Sequence, residues 1–127
     1  KVPFVRYWVH TGFLTIDSQK MSKSLNNFYT IRDVLEKYDP MAVRLFMLQS
    51  HYRSAINFSW DNLDAAKNRL ERWRTFAALR HQAHGAGAPV EAGFEDILGA
   101  LSDDLNTPEA LRLIDEELTY AQSRSLS

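Results

Sequence analysis

The chain has 127 residues, 45% apolar and 24% charged, a balance that excludes a disordered or collagen-like polypeptide and leaves room for one compact domain or two small lobes. It contains no cysteine, which excludes disulfides, thiolate nucleophiles and cysteine metal ligands among these residues, and no apolar run near the ~20 residues a membrane span needs. The net charge of −1 hides an asymmetry: residues 1–53 carry eight Lys/Arg against four acids, residues 54–127 carry −5, and the +4 half reads either as a polyanion contact or as a solvated face.

The first ten residues (KVPFVRYWVH) lack the apolar core and cleavage site of a signal peptide and read like the interior of a longer protein. Aromatic and β-branched residues over 4–17, interrupted by Gly12, predict strand or strand-like structure around a bend. Residues 18–29 (SQKMSKSLNNFY) are polar and aperiodic, and read as a surface loop. Thr30 and Asp33 have the spacing of a capping box before a short helix with Ile31, Val34, Leu35 and Tyr38 on one face. Asp39-Pro40 restarts the chain as N-cap and first helical residue. The run Met41–Leu48 is apolar nearly all round, which predicts a helix buried on most sides.

Residues 51–58 look extended, and Ser59 is placed to cap a long helix over about 60–83 with the stripe Leu63, Ala66, Leu70, Trp73 and Ala77. The run His84 to Pro89 is a flexible breaker. Phe94, Ile97, Leu98 and Leu101 mark another amphipathic helix. The last helix is predicted to start with Thr107 as cap and Pro108 at its first position, with Leu111, Ile114 and Leu118 on its apolar face and a frayed tail from Gln122. Trp8, Trp60 and Trp73 lie in apolar patterns and are expected to pack in the core. The expected fold class is mainly α: a short β/loop element, then about five helices, the last three as an antiparallel bundle.

One pentapeptide carries chemistry: Lys20, Met21, Ser22, Lys23 and Ser24. Two ammonium groups flank small hydroxyls, and such a loop can aim positive charge where a triphosphate develops negative charge. The bland reading is a solvated lysine-bearing loop. The glycine-rich cradle of a P-loop is absent, so phosphate binding here would rest on side-chain charge. His81 and His84 share a helix face at i, i+3 but have no third ligand. His10 and His51 read as hydrogen-bonding residues.

The pentapeptide is the KMSKS signature of class I aminoacyl-tRNA synthetases, with a chance frequency on the order of one in ten thousand for a chain this long. Residues 6–59 resemble the cysteinyl branch of that family, notably His51-Tyr52-Arg53-Ser54 followed by Asn57-Phe58-Ser59. Residues 61–80 resemble the first long helix of its helical bundle, and Leu105 to Leu111 a later segment. Where the family commonly has Gly after Ser-Leu, this chain has Asn26, whose tolerance of left-handed backbone would preserve the turn.

The resemblance implies a ligase that activates cysteine with ATP (with Mg²⁺) and transfers it to tRNA(Cys). Lys23 would be the catalytic residue at the ATP phosphates. Lys20, Met21, Ser22 and Ser24 would complete the ATP-binding loop. Arg53 and Tyr52 are candidates for tRNA contact, with an Arg–acid pair within the fold as the alternative. It further implies residues 1–29 as the end of a Rossmann-type catalytic domain, 30–59 as a segment contacting the tRNA stem, and 60–127 as part of a helical bundle. The zinc of the intact enzyme and the rest of the nucleotide fold would lie N-terminal to Lys1, and the anticodon-binding part beyond Ser127, so no metal site is expected here. The intact enzyme would be cytoplasmic and monomeric; these residues alone would be inactive and prone to self-association. The alternatives are a related cysteine ligase with a small amine acceptor, or a non-catalytic helical tRNA-binding or interaction module.

Overall fold

A computed structural model of the chain describes residues 3–79 and 91–125. Three short strands form a sheet in the order β2-β1-β3, with β1 Leu14–Ile16, β2 Gln19–Lys20 and β3 Ile56–Phe58. The hairpin β1–β2 turns through Asp17 and Ser18, both at positive φ (47° and 62°), the backbone of a two-residue turn that follows the sheet's twist. β3 lies parallel to β1, pairing Leu14 with Ile56 and Ile16 with Phe58. Asn57 locks the corner: its Oδ1 accepts the Ser18 N–H at 2.6 Å and the Thr15 hydroxyl at 3.2 Å.

The expected strand over 4–17 is realised only at Leu14–Ile16. Residues 3–13 have no regular structure, and Phe4, Tyr7, Trp8 and Phe13 are largely exposed, so Trp8 is not a core residue. The β-prone composition is present, but among the described residues no strand runs beside residues 4–12 to pair with them. Backbone bonds hold the end of the segment, where the Phe13 carbonyl accepts the Ile56 N–H at 2.8 Å and the closest approach is at Gly12. Its N–H donates to the Tyr52 carbonyl at 2.7 Å, and a Cβ there would stand 2.0 Å from the Ser54 carbonyl oxygen.

The helices follow their start signals. α1 (Ile31–Leu35) opens on the reciprocal Thr30–Asp33 capping box, and α2 (Pro40–Leu48) on Asp39, whose carboxylate accepts the Met41 N–H at 2.7 Å. α3 (Trp60–Leu79) is capped by Ser59, which accepts from Asn62 N–H at 3.2 Å. α4 spans Glu91–Ser102 and α5 spans Thr107–Ser125. The α5 cap is one residue earlier than expected. Asn106 Oδ1 accepts the Glu109 N–H, and Thr107 is already helical. Asn is a better cap than Thr, and taking it puts Pro108 second in the helix, where an N–H is still unneeded. The tail expected to fray from Gln122 is helical through Ser125. The end of the predicted 60–83 helix, His81, His84 and the 84–89 breaker lie outside the described residues.

One core joins sheet and helices: Ile16, Val34, Phe46, Phe58, Leu63 and Ala66, with Leu14, Met21, Tyr38, Val43 and Trp60 packed around them. Leu63 and Ala66 are fully buried, as their stripe requires. α2 is buried on one side only, through Ala42, Leu45 and Phe46; Met41, Met47 and Leu48 remain 36–48% exposed, because no element covers its other face among the described residues. Among the described residues the chain is mainly helical, with five α-helices and a small three-stranded sheet, as its pattern predicts. The helices pair chiefly as α2 with α3 and α4 with α5. Long side chains join the two pairs: Arg69 donates to the Leu111 carbonyl at 2.8 Å, and Arg72 and Trp73 both reach Asp115 at 2.7 Å.

Candidate functional site

The lysine loop links β2 to α1. Lys20 ends β2, and Lys23–Leu25 form a single 3₁₀ turn. Ser22 caps that turn: its Oγ accepts the Ser24 N–H at 3.2 Å and lies 2.6 Å from the Ser24 Oγ. The turn ends on Asn26 at φ 51°, whose N–H returns to the Lys23 carbonyl at 3.3 Å. The left-handed geometry expected at this position is therefore adopted by Asn.

Met21 points the other way, into the protein. It packs on the core and lines a small apolar cavity of about 50 Å³ together with Leu14, Ile16, Tyr29, Val34 and Phe46. The pentapeptide therefore splits by chemistry. Its methionine anchors the loop, while Lys23 and Ser24 face solvent and the Ser22 hydroxyl bonds to the turn. The Lys23 ammonium stands 5.8 Å from the centroid of the half-exposed Phe28 ring, a cation–π distance. Among the described residues no carboxylate pairs with Lys20 or Lys23. A residue that the sequence pattern did not single out also belongs to the site. Asn27 accepts the Ser22 N–H at 2.8 Å and donates to the Lys20 carbonyl at 3.2 Å. Its one legible signal was an amide side chain next to a left-handed turn.

Tyr52 and Arg53 lie elsewhere, on the turn before β3. Arg53 Nη2 pairs with Asp104 Oδ1 at 3.1 Å, the Tyr52 hydroxyl donates to the same oxygen at 2.7 Å, and His51 Nε2 lies 2.9 Å from the Asp104 carbonyl. The Arg53 side chain is still 65% exposed. Its guanidinium is held above its ordinary pKa by the Tyr52 hydroxyl and by the Asp104 charge. This turn docks the α4–α5 corner onto the sheet end. His51 is thus a hydrogen-bonding residue, as its type suggested.

Among the described residues no three His, Cys, Asp or Glu side chains converge as metal ligands. With no cysteine in the sequence as well, the residues present do not fit the zinc site of the cysteinyl branch. No helix among the described residues is long and apolar enough to cross a membrane.

A conserved-domain description, tRNA synthetases class I (C) catalytic domain, matches residues 1–68. The chain belongs to this family. It is 50% identical over 119 residues to the cysteine–tRNA ligase of Shewanella sediminis, covering 90% of this chain and 25% of that protein. The cysteine–tRNA ligases of Shewanella pealeana and Erwinia tasmaniensis are each 50% identical, over 88% and 85% of this chain and 24% and 23% of theirs. The chain thus spans about a quarter of the length of the relatives it matches.

Proposed function

We propose that the chain is part of a cysteine–tRNA ligase, in which these residues supply the phosphate-facing loop, a tRNA-contacting segment (30–59) and part of a helical bundle (60–127). Activation joins the cysteine carboxylate to the α-phosphorus of ATP and breaks the bond to pyrophosphate, so negative charge grows on the leaving group. Lys23 is assigned to that charge. Lys20 adds a second ammonium group, Ser22 and Ser24 shape the turn, and Met21 holds the loop to the core. ATP enters with Mg²⁺, and zinc, where the intact enzyme uses it, is held by residues other than these. Arg53 and Tyr52 are assigned to the tRNA backbone, a contact whose strength falls with salt. Since Asp104 already holds both side chains, that contact competes with, or adds to, an internal pair.

The observation that carries the reading is the lysine loop itself: two lysines without carboxylate partners among the described residues, on a backbone anchored by Met21. The assignment of Lys23 is tested by cysteine-dependent ATP–pyrophosphate exchange in the complete polypeptide. Lys23→Ala is expected to lower exchange about 10²–10³-fold, the cost of removing one electrostatic donor to a transition state, and Lys20→Ala less. Equal and small losses in the two variants would overturn it.

A further inference from the structure

Met21 anchors the loop to the core, but no side chain of the pentapeptide bonds the Lys20 carbonyl or the Ser22 N–H. Four backbone groups lie between Lys20 and Ser22, and two of them end on one side chain. The Asn27 carboxamide accepts from Ser22 N–H (2.8 Å) and donates to the Lys20 carbonyl (3.2 Å). Only an amide can do both, since a carboxylate lacks the donor and a hydroxyl is too short to span the pair. The left-handed Asn26 makes this possible by turning the chain back, so that residue 27 faces residues 20–22. Beyond Ser22 the loop closes a second ring: Leu25 N–H donates to the Ser22 carbonyl at 3.2 Å and Asn26 N–H to the Lys23 carbonyl at 3.3 Å. The two rings share Ser22. Asn27 holds one, Ser22 caps the other, and Lys23 rides on the second as its first residue.

We propose that Asn27 is a positioning residue of the lysine loop, setting where the Lys23 ammonium and the Ser24 hydroxyl meet a polyphosphate. This rests on the phosphate-binding reading given above. Asn27 does not touch the phosphate itself. It acts by holding the Lys20–Ser22 backbone, so losing it frees the loop to sample other orientations while every charge stays in place. Affinity then falls through lost preorganisation rather than lost attraction.

The test uses the complete polypeptide that contains these residues, followed by amide hydrogen exchange and NMR, with inorganic tripolyphosphate as the probe. In the unbound wild type, the Ser22 amide is expected to exchange slowly. Asn27→Ala is expected to lose at least tenfold of that protection, and Asn27→Asp, which keeps the acceptor, to retain most of it. Tripolyphosphate should shift the Lys20–Ser24 amides, and Asn27→Ala should bind it three- to tenfold more weakly with an unchanged dependence on ionic strength. Lys23→Ala, which removes a charge, should show a shallower dependence. Unaltered Ser22 protection in Asn27→Ala, or unaltered tripolyphosphate affinity with wild-type binding present, would overturn the positioning role. No tripolyphosphate shift in the wild type would instead overturn the phosphate reading, with the exchange data still deciding whether Asn27 ties the loop. Matching thermal unfolding midpoints separate both results from global unfolding, and if the alanine variant fails to fold, Asn27→Ser, whose hydroxyl is too short to span the pair, is expected to lose the same protection.

Discussion

Phe58, the last residue of β3, meets Phe46 of α2 edge-on, with ring centroids 5.8 Å apart and planes at 89°. Both rings are nearly buried, at 6% and 4% exposure. The pair fastens the sheet that carries the lysine loop to the helical layer, and Met21 packs against the same core. Phe58→Ala is expected to cost about 3–5 kcal/mol in chemical denaturation, and Phe58→Leu under about 1.5 kcal/mol. Because β3 pairs with β1, the alanine variant should also lose amide protection at Thr15 and Ile16. A cost below about 1 kcal/mol would mean that the sheet is held by something other than this contact.

Asp39 couples acid stability to the start of α2. Its carboxyl is held below the ordinary carboxylate range, first by the Met41 N–H and then by Arg74, which donates to it at 2.7 Å from α3. A carboxyl with a lowered folded pKa contributes stability that is fully present above its unfolded value, near 4, and that is lost as pH falls through the folded value. Asp33, lowered by the Thr30 hydroxyl and then by the Thr30 N–H, acts in the same direction. Denaturation midpoints should therefore stay level from pH 7 to about 5 and fall below about 4. Asp39→Asn, which can still cap the helix but carries no charge, should fall less steeply across that acid range. Identical pH profiles for the two proteins would remove Asp39 from the account.

Asp115 joins α5 to α3. Burial pushes its carboxyl up, but the Trp73 indole N–H, Arg72 and Arg69 outweigh this and hold it below the ordinary value. Arg69 is the vulnerable partner, only 18% exposed, and its Nε has no hydrogen-bond partner. Asp115→Ala leaves that guanidinium with the Leu111 carbonyl and the Trp73 ring face but without its carboxylate, and is expected to cost about 1–3 kcal/mol. Trp73 loses its indole acceptor at the same time, so its near-ultraviolet dichroism should change in the folded variant. Asp115→Asn, retaining an acceptor, should keep the tryptophan signal nearer wild type.

Much of the helical framework was legible because its signals are local. The Thr30–Asp33 box, the Asp39–Pro40 start and the Ser59 cap each act within three residues, so neighbouring side chains specify them without help from the rest of the chain. The same holds for the left-handed turn at Asn26. The α5 cap was missed by one residue because Asn106 and Thr107 are both competent caps, and local chemistry ranks them only weakly. The all-round apolar run of α2 predicted a burial that depends on neighbours, and composition says nothing about which neighbours are there.

Local signals in the chain specify the inventory: a mainly helical chain, its capped starts, and a lysine pentapeptide with the signature of its family. Which distant groups meet depends on the folded arrangement. The parallel pairing of β1 with β3 joins residues 42 positions apart, and Arg53 finds Asp104 across 51. Tyr52 and Arg53 came out of the sequence as candidates for tRNA, and the fold shows them also holding a helix corner. Asn27 came out as an unremarked loop residue, and the fold makes it the bridge across the lysine loop. The reason is physical: a cap needs only its own next turn, whereas a long-range contact exists only once the chain between its partners has been ordered, at an entropic cost that the packed core offsets.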